Sequence, residues 1–106
     1  MDECKCMTPP LDYRDYESRN VGFHPYGEVR VERCRHCGRH WLHYKYENEA
    51  YTGSGRWFRG IVSPQLAATA TVDNALDIID ALPWHLCGGS YFNSTGRRRD
   101  CGVLRP

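Results

Sequence analysis

The chain reads as an α+β domain: a small antiparallel sheet of three or four strands with one amphipathic helix packed against it. Three observations predict this. Glu28-Val29-Arg30-Val31-Glu32-Arg33 alternates charged and β-branched residues, the pattern of a strand with one buried face. Two more strand-like runs, 39–49 and 56–62, follow across short turns, as in an antiparallel meander. Beyond Pro64 the period changes. Val72, Ala75, Leu76, Ile79 and Leu82 recur at helical spacing and form one apolar stripe.

At 106 residues the length fits a single domain spanning 1–106. A domain of this size buries roughly 60–70% of its unfolded surface, a thin core that small proteins often supplement with metals or disulfides. Seven Tyr, three Trp and three Phe point to a core built on aromatics. The net charge of +1 argues against a generic polyanion binder. No apolar run approaches the 18 residues of a membrane span, so no membrane partner is expected. Met1-Asp2-Glu3-Cys4-Lys5-Cys6 is polar and lacks the apolar stretch of a secretory signal. The expectation is a small cytoplasmic protein of bacterial or phage type, in which six cysteines favour metal ligation over a disulfide framework.

Taken in order, residues 1–10 carry Cys4 and Cys6, end in Pro9-Pro10 and have too little apolar surface to hold themselves in place. A short helical turn is expected around 12–18. The first strand covers 28–33, and Cys34 to Gly38 forms a turn. The second strand, 39–49, places Trp41, His43 and Lys45 on one face and Leu42, Tyr44 and Tyr46 on the other. Thr52-Gly53-Ser54-Gly55 is a turn before the third strand, 56–62. Ser63-Pro64 breaks the sheet. The helix starts near Thr69, with Thr69 or Thr71 as N-cap and Asp73 in the first turn, and Pro83 ends it. A last short strand at 89–93 is expected on an edge of the meander, followed by a loop over 94–100.

Cys34-Arg35-His36-Cys37-Gly38 can aim two sulfurs at one ion, because a tight turn directs its backbone N–H groups at the thiolates. Gly38 follows where the chain often needs a positive φ. Cys4 and Cys6 supply a second local pair. Four thiolates meet the demand of a tetrahedral structural zinc and leave no open coordination position. Such a site would clip the N-terminal segment to the first hairpin, a long loop whose closure removes much unfolded-state freedom. Over about a dozen residues, from Glu32 to Tyr44, the pattern resembles the knuckle of zinc ribbons and related small zinc folds. The metal ligands are therefore Cys4, Cys6, Cys34 and Cys37, with Zn²⁺ as the cofactor. His40, three residues after Cys37, is the alternative ligand. Free or redox-active thiols are the third option, although a strand rather than a helix follows this CxxC. Cys87 and Cys101 are left over, as buried small apolar groups, a disulfide, or ligands with His85.

One helix cannot cover both faces of a sheet, so some aromatics must face solvent, the N-terminal segment or a partner. The candidate interaction surface comprises Trp41 and Trp57 together with Arg97, Arg98 and Arg99, although a solvated loop is the simpler reading of the arginines. Asp73, Asp77 and Asp80 lie opposite the apolar stripe as a solvated face. Gly88-Gly89-Ser90 lacks the spacing, lysine and following helix of a phosphate loop. With no catalytic constellation and a saturated metal, the expected function is a zinc-stabilised module that binds another protein, as a monomer or a homodimer. Small immunity and anti-toxin proteins share this general character. The alternative is nucleic-acid binding through the basic knuckle, Arg33 to Arg39, and the Arg97–Arg99 loop. A metal-dependent enzyme would need His40 or water in the metal shell.

Overall fold

The computed structural model describes residues 4, 6, 13–24, 27–46, 56–88 and 97–99. Six strands form one sheet: β1 (Tyr16–His24), β2 (Gly27–Cys34), β3 (His40–Tyr46), β4 (Arg56–Val62), β5 (His85–Gly88) and β6 (Arg97–Arg99). Their order in the sheet is their order in the chain, and every neighbouring pair is antiparallel. Two short helices, α1 (Pro64–Thr69) and α2 (Ala75–Asp80), connect β4 to β5.

The three strands expected from alternation are present as β2, β3 and β4, and they form the expected meander. The sheet is larger than the three or four strands predicted. In the region of β1 the sequence predicts only a short helical turn, around 12–18. The turn is a single 3₁₀ turn at Tyr13–Asp15, and a nine-residue strand follows it. β1 carries a weak local signal because Glu17, Ser18, Arg19 and Asn20 are exposed. Its pairing with β2, from Tyr16↔Cys34 to His24↔Gly27, decides its conformation. The strand expected at 89–93 lies outside the described residues. The pairing onto β4 is made instead by His85–Gly88. Arg97, Arg98 and Arg99, expected in a loop, form β6 along β5.

The single predicted helix is two helices. Ser63-Pro64 ends the sheet strand as expected and also starts a helix. The Ser63 hydroxyl accepts the Leu66 N–H at 3.1 Å, and proline occupies the first turn, where its missing N–H costs nothing. Ala70 is extended and separates the helices. The turn entering α2 begins at Thr71, one of the expected caps. Its N–H donates to Asn74 Oδ1 at 2.6 Å, and its Oγ1 accepts the Asn74 N–H at 3.2 Å, a reciprocal capping arrangement. The predicted stripe is intact. Ala75, Leu76 and Ile79 are buried, and Val72 and Leu82 pack beside them.

Both faces of the sheet are buried, and they differ in chemistry. On one, Val29, Val31, Leu42, Tyr44, Phe58 and Val62 pack against α1 and α2. Trp41, Trp57, Leu86, Tyr16, Cys6 and Cys34 form a second cluster on the other, which also buries Glu32, His43 and Arg59. Gly88 lies opposite Trp57 in the β4–β5 ladder, and a Cβ on Gly88 would run into the indole ring. Gly88→Ala should therefore displace Trp57 and cost about 1–3 kcal/mol in urea denaturation. An unchanged midpoint would show that the ring moves aside freely.

Candidate metal centre

The centre is built on the turn between β2 and β3. The Gly38 N–H donates to the Cys34 carbonyl and the Cys34 N–H to the Arg39 carbonyl, each at 2.9 Å. Gly38 has the positive φ expected of it, 78°, which a residue with a Cβ adopts only under strain. The turn thereby points backbone donors at sulfur. The His36 N–H reaches Cys34 Sγ at 3.4 Å, the Cys37 N–H also donates to Cys34, and the Arg39 N–H donates to Cys37. A further bond, from the Arg35 N–H to the Asp15 carbonyl at 2.8 Å, ties the turn to the approach of β1.

The N-terminal pair completes the set. Cys4 Sγ lies 3.5 Å from Cys34 Sγ, and Cys6 Sγ lies 3.6 Å from Cys37 Sγ. All four sulfurs fall within 4.8 Å of one another. A tetrahedron with metal–sulfur bonds near 2.3 Å has edges of about 3.8 Å, so this cluster can hold a metal ion. Cys6 and Cys34 are buried, whereas Cys37 is exposed. Burial pushes the Cys6 thiol far above its ordinary range, and the other three cysteines reinforce the shift. Burial also raises Cys34. For Cys37 burial acts in the same sense, but the Arg39 N–H and guanidinium and the thiols of Cys6 and Cys34 outweigh it and bring the group down to about 6. A cation at the centre reverses this logic for the buried thiols, since coordination deprotonates them.

Beside the cysteines lies a polar group that sequence reasoning missed. Arg59 is fully buried, and its guanidinium lies between two aromatic rings, 4.3 Å from the centroid of Tyr16 and 4.5 Å from that of Trp41. Its Nε donates to Glu32 Oε1 at 2.9 Å and its Nη1 to Tyr16 Oη at 3.3 Å. His43 Nδ1 lies 3.5 Å from the same Glu32 oxygen. Burial opposes ionisation of Glu32, but His43 and Arg59 outweigh it and hold the carboxyl down to about 2. The signal was present in the hairpin register. Once the turn pairs Arg33 with His40, Glu32 stands opposite Trp41, and His43 stands opposite Arg59.

The other residues singled out from the sequence take different places. His40 is not in the sulfur cluster. It sits between Arg33 and Val62 in the ladder. Trp41 and Trp57, proposed as interaction surface, are instead core residues, because this sheet face is closed around Arg59. Arg97, Arg98 and Arg99 belong to a strand. Cys87 is a free thiol buried in the helix-side core, and Cys101 lies outside the described residues. Asp73, Asp77 and Asp80 are exposed, as expected. No helix is long and apolar enough to cross a membrane. Comparison with protein-family models, with curated proteins and with solved structures found no match to this chain.

Two outcomes follow from this geometry. Glu32 contributes stability that is complete above its ordinary pKa of 4.5 and is lost as the pH falls from there towards 2. Glu32→Gln should thus be about 3–5 kcal/mol less stable than wild type at pH 7, with the gap closing over that acid range. Loss of metal in acid affects both proteins and drops out of the difference. A gap independent of pH would mean that Glu32 is not the ionised partner of Arg59. Because Cys6 shares a cluster with Trp41 and Trp57, metal removal by a chelator should shift tryptophan emission to the red. Unchanged emission would separate the metal centre from that core.

Proposed function

We propose that the chain is a zinc-stabilised protein-interaction module whose metal is structural. The observation that carries this reading is the gathering of four cysteine sulfurs, from two distant segments, within one coordination sphere. Four thiolates saturate a tetrahedral ion, which leaves it unable to bind and polarise a substrate. Zinc suits such a soft, all-sulfur set, has no redox chemistry of its own, and accepts the geometry without distortion. Its role is to hold Cys4 and Cys6 against a sheet face that neither α1 nor α2 covers.

A binding role is supported by what lies outside the two cores. Phe23 and Leu66 are large apolar side chains exposed to solvent. β1 stands at one end of the sheet, and charged side chains at Glu17, Arg19, Arg33 and Arg35 lie exposed along that side.

Native mass spectrometry of protein purified without chelator or added metal tests the metal assignment. One zinc per chain is expected, retained in His40→Ala and lost in Cys6→Ser. Retention by Cys6→Ser with loss in His40→Ala would overturn the four-thiolate assignment. Chemical cross-linking in host extract, with reciprocal identification of the captured protein, tests the partner reading. A protein that remains uncrosslinked while fully loaded with zinc would overturn the binding role and leave the metal site standing.

A further inference from the structure

We infer that the outer edge of β1 takes up an extended segment of a partner protein, with alternating acidic and apolar residues, as an added strand. This rests on the protein-binding reading above. Three features of β1 lead to it. The first is the edge itself. β1 ends the sheet, and among the described residues no strand lies beyond it. Glu17, Ser18, Arg19 and Asn20 are all exposed. The backbone groups on that side of the strand are placed to pair with an incoming chain.

The second is the bulge between Asn20 and Gly22. In an unbroken strand Phe23 would share the helix-facing side with Glu17 and Arg19. The extra residue instead turns two consecutive positions towards the helices. Val21 packs on the helix-side core, and a Cβ on Gly22 would meet Val72. Phe23 is thereby turned to the opposite face, across from Glu28, and is 72% exposed. Bulges re-aim side chains in this way next to functional surfaces. Here the bulge takes a phenylalanine out of the core and sets it beside an edge that no other described strand covers.

The third is charge. Arg19 and Arg33 line a depression of about 310 Å³ with Glu17, Ser18 and Val31. Arg35 reaches Glu17 at 3.6 Å. Three arginines against one glutamate leave the helix-facing side of this edge net positive, and the Arg19 guanidinium also donates to the Ala67 carbonyl of α1 at 3.4 Å. A strand laid along β1 sends alternate side chains to the two faces. On the helix-facing side that strand would stand beside Arg19 and Glu17, with Arg33 one strand further in, and on the other side beside Phe23; the net positive charge and the exposed ring together select acidic residues alternating with apolar ones.

The test uses fluorescein-labelled peptides and the full, zinc-loaded chain in fluorescence anisotropy at low salt. The probes are a Glu-Val octapeptide, the same peptide N-methylated at alternate residues, and its Lys-Val counterpart. Saturable binding of the Glu-Val peptide is expected. It should be at least about tenfold weaker after N-methylation, which leaves charge intact and removes main-chain donors, and at least about tenfold weaker for Lys-Val. An Arg19→Glu/Arg33→Glu variant with unchanged circular dichroism and zinc content should lose Glu-Val binding, and Phe23→Ala should weaken it. Equal binding of the N-methylated peptide, or undiminished binding by the charge-reversed variant, would overturn the inference. So would binding of an oligothymidylate in place of the peptides, or a tight homodimer that excludes them. Failure of the peptides alongside a cross-linked, identified partner would overturn this edge assignment and leave the interaction module standing.

Discussion

A sheet has two faces, and among the described residues helices cover only one of them. α1 and α2 close one side with ordinary aliphatic packing. The other side carries Trp41, Trp57 and Leu86 around a buried guanidinium, and two of the four clustered cysteines, Cys6 and Cys34, are part of that core. The N-terminal segment has little apolar surface of its own with which to adhere there. A metal ion held by the four cysteines would solve that problem locally, since it would fix Cys4 and Cys6 through bonds much stronger than burial could provide.

The same arrangement explains how Arg59 is tolerated in the interior. A lone buried guanidinium is costly, and attraction to one carboxylate barely offsets the loss of hydration. Here Glu32 accepts its Nε proton, Tyr16 accepts a second, and the rings of Tyr16 and Trp41 present their negative faces to the cation. Tyr16 also stands directly opposite Cys34, one of the four clustered cysteines. Its hydroxyl is held protonated chiefly by burial, against the pull of Arg59. The charged group and the sulfur cluster are adjacent layers of one core.

The parts legible in the sequence were those with local causes. The Cys34–Gly38 turn, the alternation in β2, the two faces of β3 and the apolar stripe running into α2 depend on residues within a few positions of one another. The gathering of Cys4 and Cys6 with Cys34 and Cys37 was legible because metal chemistry sets the number and type of ligands. The parts that were missed depend on pairing across the sheet. β1 has no apolar alternation over Glu17–Asn20 and owes its conformation to β2. Arg97–Arg99 looked like a solvated charge run and is a strand because β5 lies beside it. Ser63-Pro64 ends β4 as expected, but the same two residues also make a good first helical turn, which the apolar stripe further on gives no hint of. Trp41 and Trp57 looked surplus because Arg59, the group they help enclose, had no visible partner in the sequence.

The strict meander has a consequence for the order in which the molecule assembles. Each strand pairs with the one made just before it, so every ladder can close as soon as its second strand is complete. All four cysteines, β1 and β2 precede residue 38 in the chain. During synthesis, which proceeds from the N-terminus, a metal could therefore be captured before β4 or either helix exists. The first hairpin would then be anchored early, as a template on which Trp41, Trp57 and Arg59 later settle, and the metal would act as a nucleation point as well as a clamp.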